Sequence, residues 1–231
     1  MPPEGHLEQL YHIFAHLKVN HNFEMVFDPS DPVIDESAFQ RRDWSTTEFG
    51  KLGKEELSSR MPAPRGLGFI LRAFVDAYHA DNKVTRKSRT GFLVYLNSAP
   101  VYWMSKKQIS IKTSSFGSEF CAMKHFCEYL RGLRYKLRIM GIPCTSPSYI
   151  YEDNQSVLAN TNIPESTLRK KSQSIAYHFV REGSARDEWQ TAYINTHHNP
   201  DDLLTNQLPS GEKRRSFVWM LLHHLFGGKD Y

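Results

Sequence analysis

The chain has 231 residues, of which 40% are hydrophobic and 13% aromatic, and a formal net charge of +4. That is enough for one large domain with an ample core, and it excludes an intrinsically disordered chain. Three cysteines (Cys121, Cys127, Cys144) form no CxxC pair, which argues against a disulfide framework or a zinc cage and fits a reducing compartment.

Charge is unevenly spread: residues 1–60 carry a net −5 and residues 61–231 a net +9. A polyanionic partner is therefore expected for the body alone. The opening Met1-Pro2-Pro3-Glu4-Gly5 lacks a basic and then apolar leader, so no secretion signal and an intracellular location are expected. The most apolar run, 217–226, is too short to span a bilayer and is broken by His223-His224, so no membrane partner is expected.

Leu7, Leu10, Ile13, Phe14 and Leu17 recur at spacings of three and four and predict an amphipathic helix over 4–18. Phe23 to Phe27 alternates like a strand, and Asp28-Pro29-Ser30-Asp31-Pro32 stops it. Val33 to Arg65 shows little periodicity and reads as an extended connector. The body opens at Gly66 with a long strand, 68–76, ending on Asp76. Phe92 to Leu96 and Val101 to Met104 continue an antiparallel meander, with a short edge around Ile109 to Lys112. Ser114-Ser115 then caps a long helix whose stripe runs Phe116, Phe120, Met123, Cys127, Leu130, Leu133, Leu137, Met140, closed by Gly141. A strand at Tyr149 to Tyr151, helices over 155–160 and 175–186, a strand over 190–195 and a helix starting at Asp201-Asp202 follow. A final amphipathic helix is predicted over 212–226.

This order sets Asp76 and Asp153 at strand ends, Glu119 in the first turn of the long helix and Asp202 at a helix start. Taken singly, each has a plain alternative: Asp153 or Asn154 as a helix cap, Glu119 as a complement to the helix dipole. Taken together, four converging carboxylates would repel one another and shift each other's pKa unless cations lay between them. Two Mg2+ (or Mn2+) ions solve that problem, and oxygen-only ligands argue against zinc.

Several runs occur in order along residues 66–209: Phe74-Val75-Asp76-Ala77, Thr85-Arg86-Lys87-Ser88-Arg89-Thr90-Gly91-Phe92 and Trp103-Met104-Ser105-Lys106-Lys107-Gln108. They continue with Ser114-Ser115-Phe116-Gly117-Ser118-Glu119-Phe120, Asp153-Asn154-Gln155-Ser156, Tyr177-His178-Phe179-Val180-Arg181-Glu182 and Asp202-Leu203-Leu204-Thr205. On these the chain closely resembles the ribonuclease H domain of Ty1/copia-type retrotransposon Pol polyproteins. The resemblance implies an α/β ribonuclease H-like fold, a mixed five-stranded sheet flanked by helices, and two-metal hydrolysis of the RNA strand of RNA–DNA hybrids. It further implies that Asp76, Glu119, Asp153 and Asp202 form the acidic tetrad, with Asp201 an alternative for the last. His197 or His198 would assist water positioning or product release, or simply be a solvated loop histidine. Ser114, Ser115, Asn154 and Gln155 would contact the hybrid or cap helices, and Lys106 and Lys107 would hold its backbone.

The division expected is 1–65 as a remnant of the polymerase connection, 66–209 as the ribonuclease H-like domain and 210–231 as a C-terminal helix. No Tyr-x-Asp-Asp motif occurs, so a terminal fragment without the reverse transcriptase is expected. The reverse transcriptase part of the parent polyprotein is an implied partner, and a cytoplasmic virus-like particle or the nucleus the implied location. Departures from the family pattern are Tyr78-His79 for Asp-Trp, Ser172 for His and Asn206 for Lys. They leave open a non-catalytic fragment that keeps the fold and at most binds nucleic acid. An integrase-type nuclease fits less well, because Glu119 precedes Asp153.

Overall fold

The computed structural model describes residues 4–53, 55, 57–167, 174–206, 208–209 and 211–224. The basic run 168–171, Ser172 and Phe226 lie outside the described residues.

Helix α1 (Glu4–Val19) forms as its spacing predicts, and strand β1 is shorter than the predicted alternation, covering Phe23–Glu24 alone. The body is built on β2 (Leu71–Tyr78), flanked by β3 (Arg89–Leu96) and then β4 (Ala99–Lys107). Helix α2 (Ser115–Ile139) leads to β5 (Ser148–Glu152), and α3 (Gln155–Asn162) with α4 (Ser174–Ala185) leads to β6 (Trp189–Tyr193). A one-turn α5 (Asp202–Thr205) and α6 (Glu212–Leu221) precede β7 (His223–His224), which pairs antiparallel with β1.

The main sheet runs β4-β3-β2-β5-β6, with β3 antiparallel to both β2 and β4, and β5 parallel to both β2 and β6. This mixed five-stranded sheet flanked by helices is the ribonuclease H-like architecture. Alternation along β2 decides its two faces. Leu71, Ala73, Val75 and Ala77 join Phe120, Met123, Phe126 and Leu130 of α2 in the main core. Phe74 points the other way, with Leu93 and Tyr95, into a smaller cluster. Helix α4 reaches β6 because Gly183 lies against the Trp189 ring: a Cβ there would sit 1.9 Å from Cζ2.

The aperiodic connector is ordered on the body by single anchors. Two local Asp-x-Ser turns shape it and a third precedes it: Ser37, Ser45 and, before the connector, Ser30 each donate a backbone N–H to the aspartate two residues earlier. Phe39 packs edge-on against Tyr149 and Tyr151 at 4.8 and 5.1 Å, and Arg181 lies over Trp44 at 4.8 Å. Glu55 pairs with both Arg134 and Arg138 of α2.

Some predicted boundaries are corrected. The first strand starts at Leu71, since the Ile70 amide bonds the Asn97 side chain, and it runs two residues past Asp76. No strand forms over 109–112: Gln108 turns inward, its amide bonding Ser88 O and its side chain Ser118 O. The last helix ends at Leu221, where His223-His224 leave to pair with Phe23-Glu24.

Candidate active site

The sheet order brings the adjacent strands β2 and β5 to one edge with their acids side by side. Asp76 is held on β2, where its strand partner is Gly91. Glu119 is the fifth residue of α2, a helix opened by Ser114, whose hydroxyl accepts the Gly117 N–H. Asp153 follows the last residue of β5, and Asp202 begins α5.

The four acids act on one another. Burial above all, with the charges of Asp153 and Asp202, pushes Asp76 up to about 6, against a lowering hydrogen bond from Thr205. Burial, then Asp76 and Asp153, pushes Glu119 up to about 7. Asp153 is raised by burial and by Asp202. Each side chain is turned onto a neighbouring donor. The Thr205 hydroxyl donates to Asp76, the Asn154 amide to Glu119, and the Thr196 hydroxyl to Asp153 at 2.7 Å. Asp202 takes the Lys213 ammonium of α6 and, at 2.6 Å, the Asn206 amide. So arranged, no three His, Cys, Asp or Glu side chains among the described residues converge to hold a metal ion. The donor set remains oxygen-only, which is the chemistry hard divalent cations select.

The other expected residues fall around this cluster with different duties. Asn154 caps α3 through Oδ1, bonding the Ser156 and Val157 amides, while its Nδ2 orients Glu119. Ser115 and Gln155 are exposed first residues of their helices, and Lys106 and Lys107 are exposed at the end of β4. His197 and His198 are exposed on a turn whose Thr196 bonds Asp153. The Asn206 departure is matched by Lys213, which brings a positive charge to Asp202 from a different helix.

Two further carboxyls belong to the cluster, Glu152 with no expected role and Asp201 the alternative to Asp202. Glu152 is fully buried and pushed well above the carboxylate range by burial and by Asp76, Glu119 and Asp153. Period two along β5 was its signal, since Ser148, Ile150 and Glu152 share the inward face. Asp201 is also fully buried and raised, with no well-formed hydrogen bond and only a weak approach from the Asp76 amide. Its carboxyl lies where a Cβ on Gly91 would be, 2.6 Å away, so only glycine fits opposite Asp76. Of the two candidate aspartates, Asp202 is paired with Lys213, and Asp201 is buried without a well-formed hydrogen bond.

No protein-family model matches the chain. Over 144 residues it is 31% identical to the retrovirus-related Pol polyprotein from transposon RE1 of Arabidopsis thaliana, covering 62% of this chain and 10% of that protein. It is 28% identical over 140 residues to the corresponding polyprotein from transposon TNT 1-94 of Nicotiana tabacum, covering 61% and 10%. The chain thus spans about 10% of the length of these curated relatives. Among solved structures it is similar to compost-derived LC11-RNase H1 in complex with RNA/DNA hybrid, with TM-score 0.48 and 11% identity over 59% of this chain and 94% of that one. RNase H1 from Halobacterium salinarum gives TM-score 0.45 and 13% identity over 59% and 95%.

Proposed function

We propose that this chain, a distant homologue of copia-type Pol polyproteins with a ribonuclease H-like fold, hydrolyses the RNA strand of RNA–DNA hybrids with two divalent cations. The observation that carries the reading is that Asp76, Glu119 and Asp153, on three separate elements, are each raised by burial and by neighbouring acids, with Asp202 of a fourth element acting on two of them. Such a cluster costs stability in the absence of cations.

Asp76, Glu119, Asp153 and Asp202 are the residues that would hold Mg2+ or Mn2+. When bound, the ions supply an activated water and neutralise charge on the phosphodiester. Thr205, Asn154 and Thr196 orient three of the carboxylates, and Asn154 therefore acts through Glu119. His197 or His198, tethered to Asp153 through Thr196, is assigned to water positioning or product departure. Ser115 and Gln155 are assigned to the hybrid, and Lys106 and Lys107 to its phosphates. The apolar residues left exposed on α1, such as Leu10 and Phe14, are assigned to the polymerase part of a parent polyprotein.

The test is cleavage of a labelled RNA–DNA hybrid with Mg2+ or Mn2+, beside Asp153→Asn. RNA-strand cutting that vanishes in the variant supports the reading. A folded protein that binds hybrid without cutting it sinks the reading and leaves a non-catalytic fragment. One observation speaks for that second reading: Lys213 already neutralises Asp202.

A further inference from the structure

A second cleft opens beside the cluster, between edge strand β4 and helix α2, with a volume of about 210 Å³. Its floor is aromatic. Tyr102 stacks on Tyr129 at 4.4 Å and on Phe92 at 5.9 Å, with interplanar angles of 21° and 30°. Lys106 and Lys107 make one end of its rim basic, and His125, whose pKa is lowered by burial and by Lys124, lines one side. The acid nearby, Glu128, is paired with Lys124 at 2.5 Å.

Gln108 gives the cleft a polar end. Its Nε2 donates to Thr90 Oγ1 at 3.0 Å and to Ser118 O at 2.8 Å, which fixes the amide orientation, because a carbonyl accepts only from the NH2. Oε1 is left buried without a donor, and such an acceptor is costly unless something fills it. Flat apolar walls, two ammonium groups with no ion-pair partner among the described residues and an unmet acceptor describe a planar heterocycle bearing an N–H and attached to phosphate. An apolar peptide would serve the walls and leave the lysines unserved.

We propose that this cleft takes one unstacked nucleobase of a single strand running off the hybrid, stacked against Tyr102, with its phosphates on Lys106 and Lys107. The placement rests on the nuclease reading above and extends it. Along α2, His125 lies six residues beyond Glu119, about 9 Å at 1.5 Å per residue. Across the sheet, β4 lies two strands from β2, about 10 Å. At 3.4 Å per nucleotide along one strand, that is roughly three nucleotides from the carboxylates. Aromatic platforms beside a basic track are the means by which single strands are bound without sequence preference.

The experiment uses the whole chain and three probes: a single-stranded oligodeoxynucleotide carrying one 2-aminopurine, a blunt RNA–DNA hybrid, and the same hybrid with a single-stranded overhang. The expected result is quenching of 2-aminopurine on binding and tighter binding of the overhang hybrid than of the blunt one. Tyr102→Ala abolishes the quenching and weakens overhang binding about tenfold, and Tyr102→Phe, which keeps the ring, restores both. Replacing Lys106 and Lys107 with Ala lowers the salt dependence of single-strand binding by about 1.4 in the log–log slope. Equal affinity for blunt and overhang hybrids, with no quenching, overturns the proposal even if the blunt hybrid is cut. Quenching that depends on Tyr102 in a protein that cuts no hybrid supports the cleft and sinks the nuclease reading instead.

Discussion

Replacing Asp76 with Asn should stabilise the protein at neutral pH when divalent cations are chelated. Burial, then the charges of Asp153 and Asp202, raise Asp76 from 3.8 to about 6. The folded state therefore holds that proton more tightly than the unfolded state. The associated stability is complete below pH 3.8 and is lost as pH rises through about 6. At 1.36 kcal/mol per pH unit, the loss reaches about 3 kcal/mol above pH 7. Asn removes the charge and still offers an oxygen to the Thr205 hydroxyl. Urea unfolding of both proteins in chelator, from pH 4 to 8, should show no difference at the acid end and a gain of up to about 3 kcal/mol for Asp76→Asn at pH 7.5. In a protein of this size that gain is about 6–12 °C in Tm. Mg2+ at pH 7.5 should then raise the stability of the parent and leave the variant nearly unmoved. A variant less stable than the parent at pH 7.5 in chelator would refute the reasoning.

Gly183→Ala sets two effects against each other. Helix propensity gains about 1 kcal/mol, but a Cβ 1.9 Å from the fully buried Trp189 ring overpacks it by about 3 kcal/mol, so a net loss of about 2 kcal/mol is expected. An unchanged or higher Tm would show that the ring can move aside. Glu55→Gln leaves the nearly buried Arg134 and Arg138 without their carboxylate and should cost about 3 kcal/mol by urea titration, releasing the connector to proteolysis. Parental stability in that variant would mean the connector contributes nothing to the body. Lys213→Met removes the ammonium from Asp202. Because Lys213 is about a third exposed, the expected cost in chelator is roughly 1–2 kcal/mol, below the buried range, and Mg2+ should recover more stability in the variant than in the parent. Identical responses to Mg2+ would separate Lys213 from the site.

The periodic elements could be read from the sequence because burial imposes periods. The α2 stripe from Phe120 through Leu137 and the alternation of β5 are both direct imprints of the core. Two of the predicted acids stand at element ends, Asp153 after β5 and Asp202 at the start of α5, while Asp76 lies inside β2 and Glu119 one turn into α2. What escaped lacks a period. Strand β2 ends in a turn at Ala80, whose φ of 53° carries no glycine or asparagine signal, so Asp76 looked terminal. The connector's order depends on lone aromatics, Phe39 and Trp44, which have no meaning until Tyr149 and Arg181 lie opposite them. The pairing of Phe23-Glu24 with His223-His224 joins segments some 200 residues apart, beyond any local pattern. Lys213 on Asp202 is of the same kind, a partner chosen by where α6 docks.

The partners around the acids also bear on why the cluster persists. Thr205, Asn154 and Thr196 are uncharged donors, each worth about 1.5–3 kcal/mol to a carboxylate, and only Lys213 brings a charge. One ammonium cannot balance four carboxylates, and Asp76 and Glu119 answer by holding protons to about 6 and about 7. Asparagine or glutamine at either position would keep the hydrogen bonds and end the repulsion. Two populations of carboxyl therefore share the cluster: Asp201 and Glu152, fully buried and pushed well above the carboxylate range, and Asp76, Glu119 and Asp153, each held by a side-chain donor.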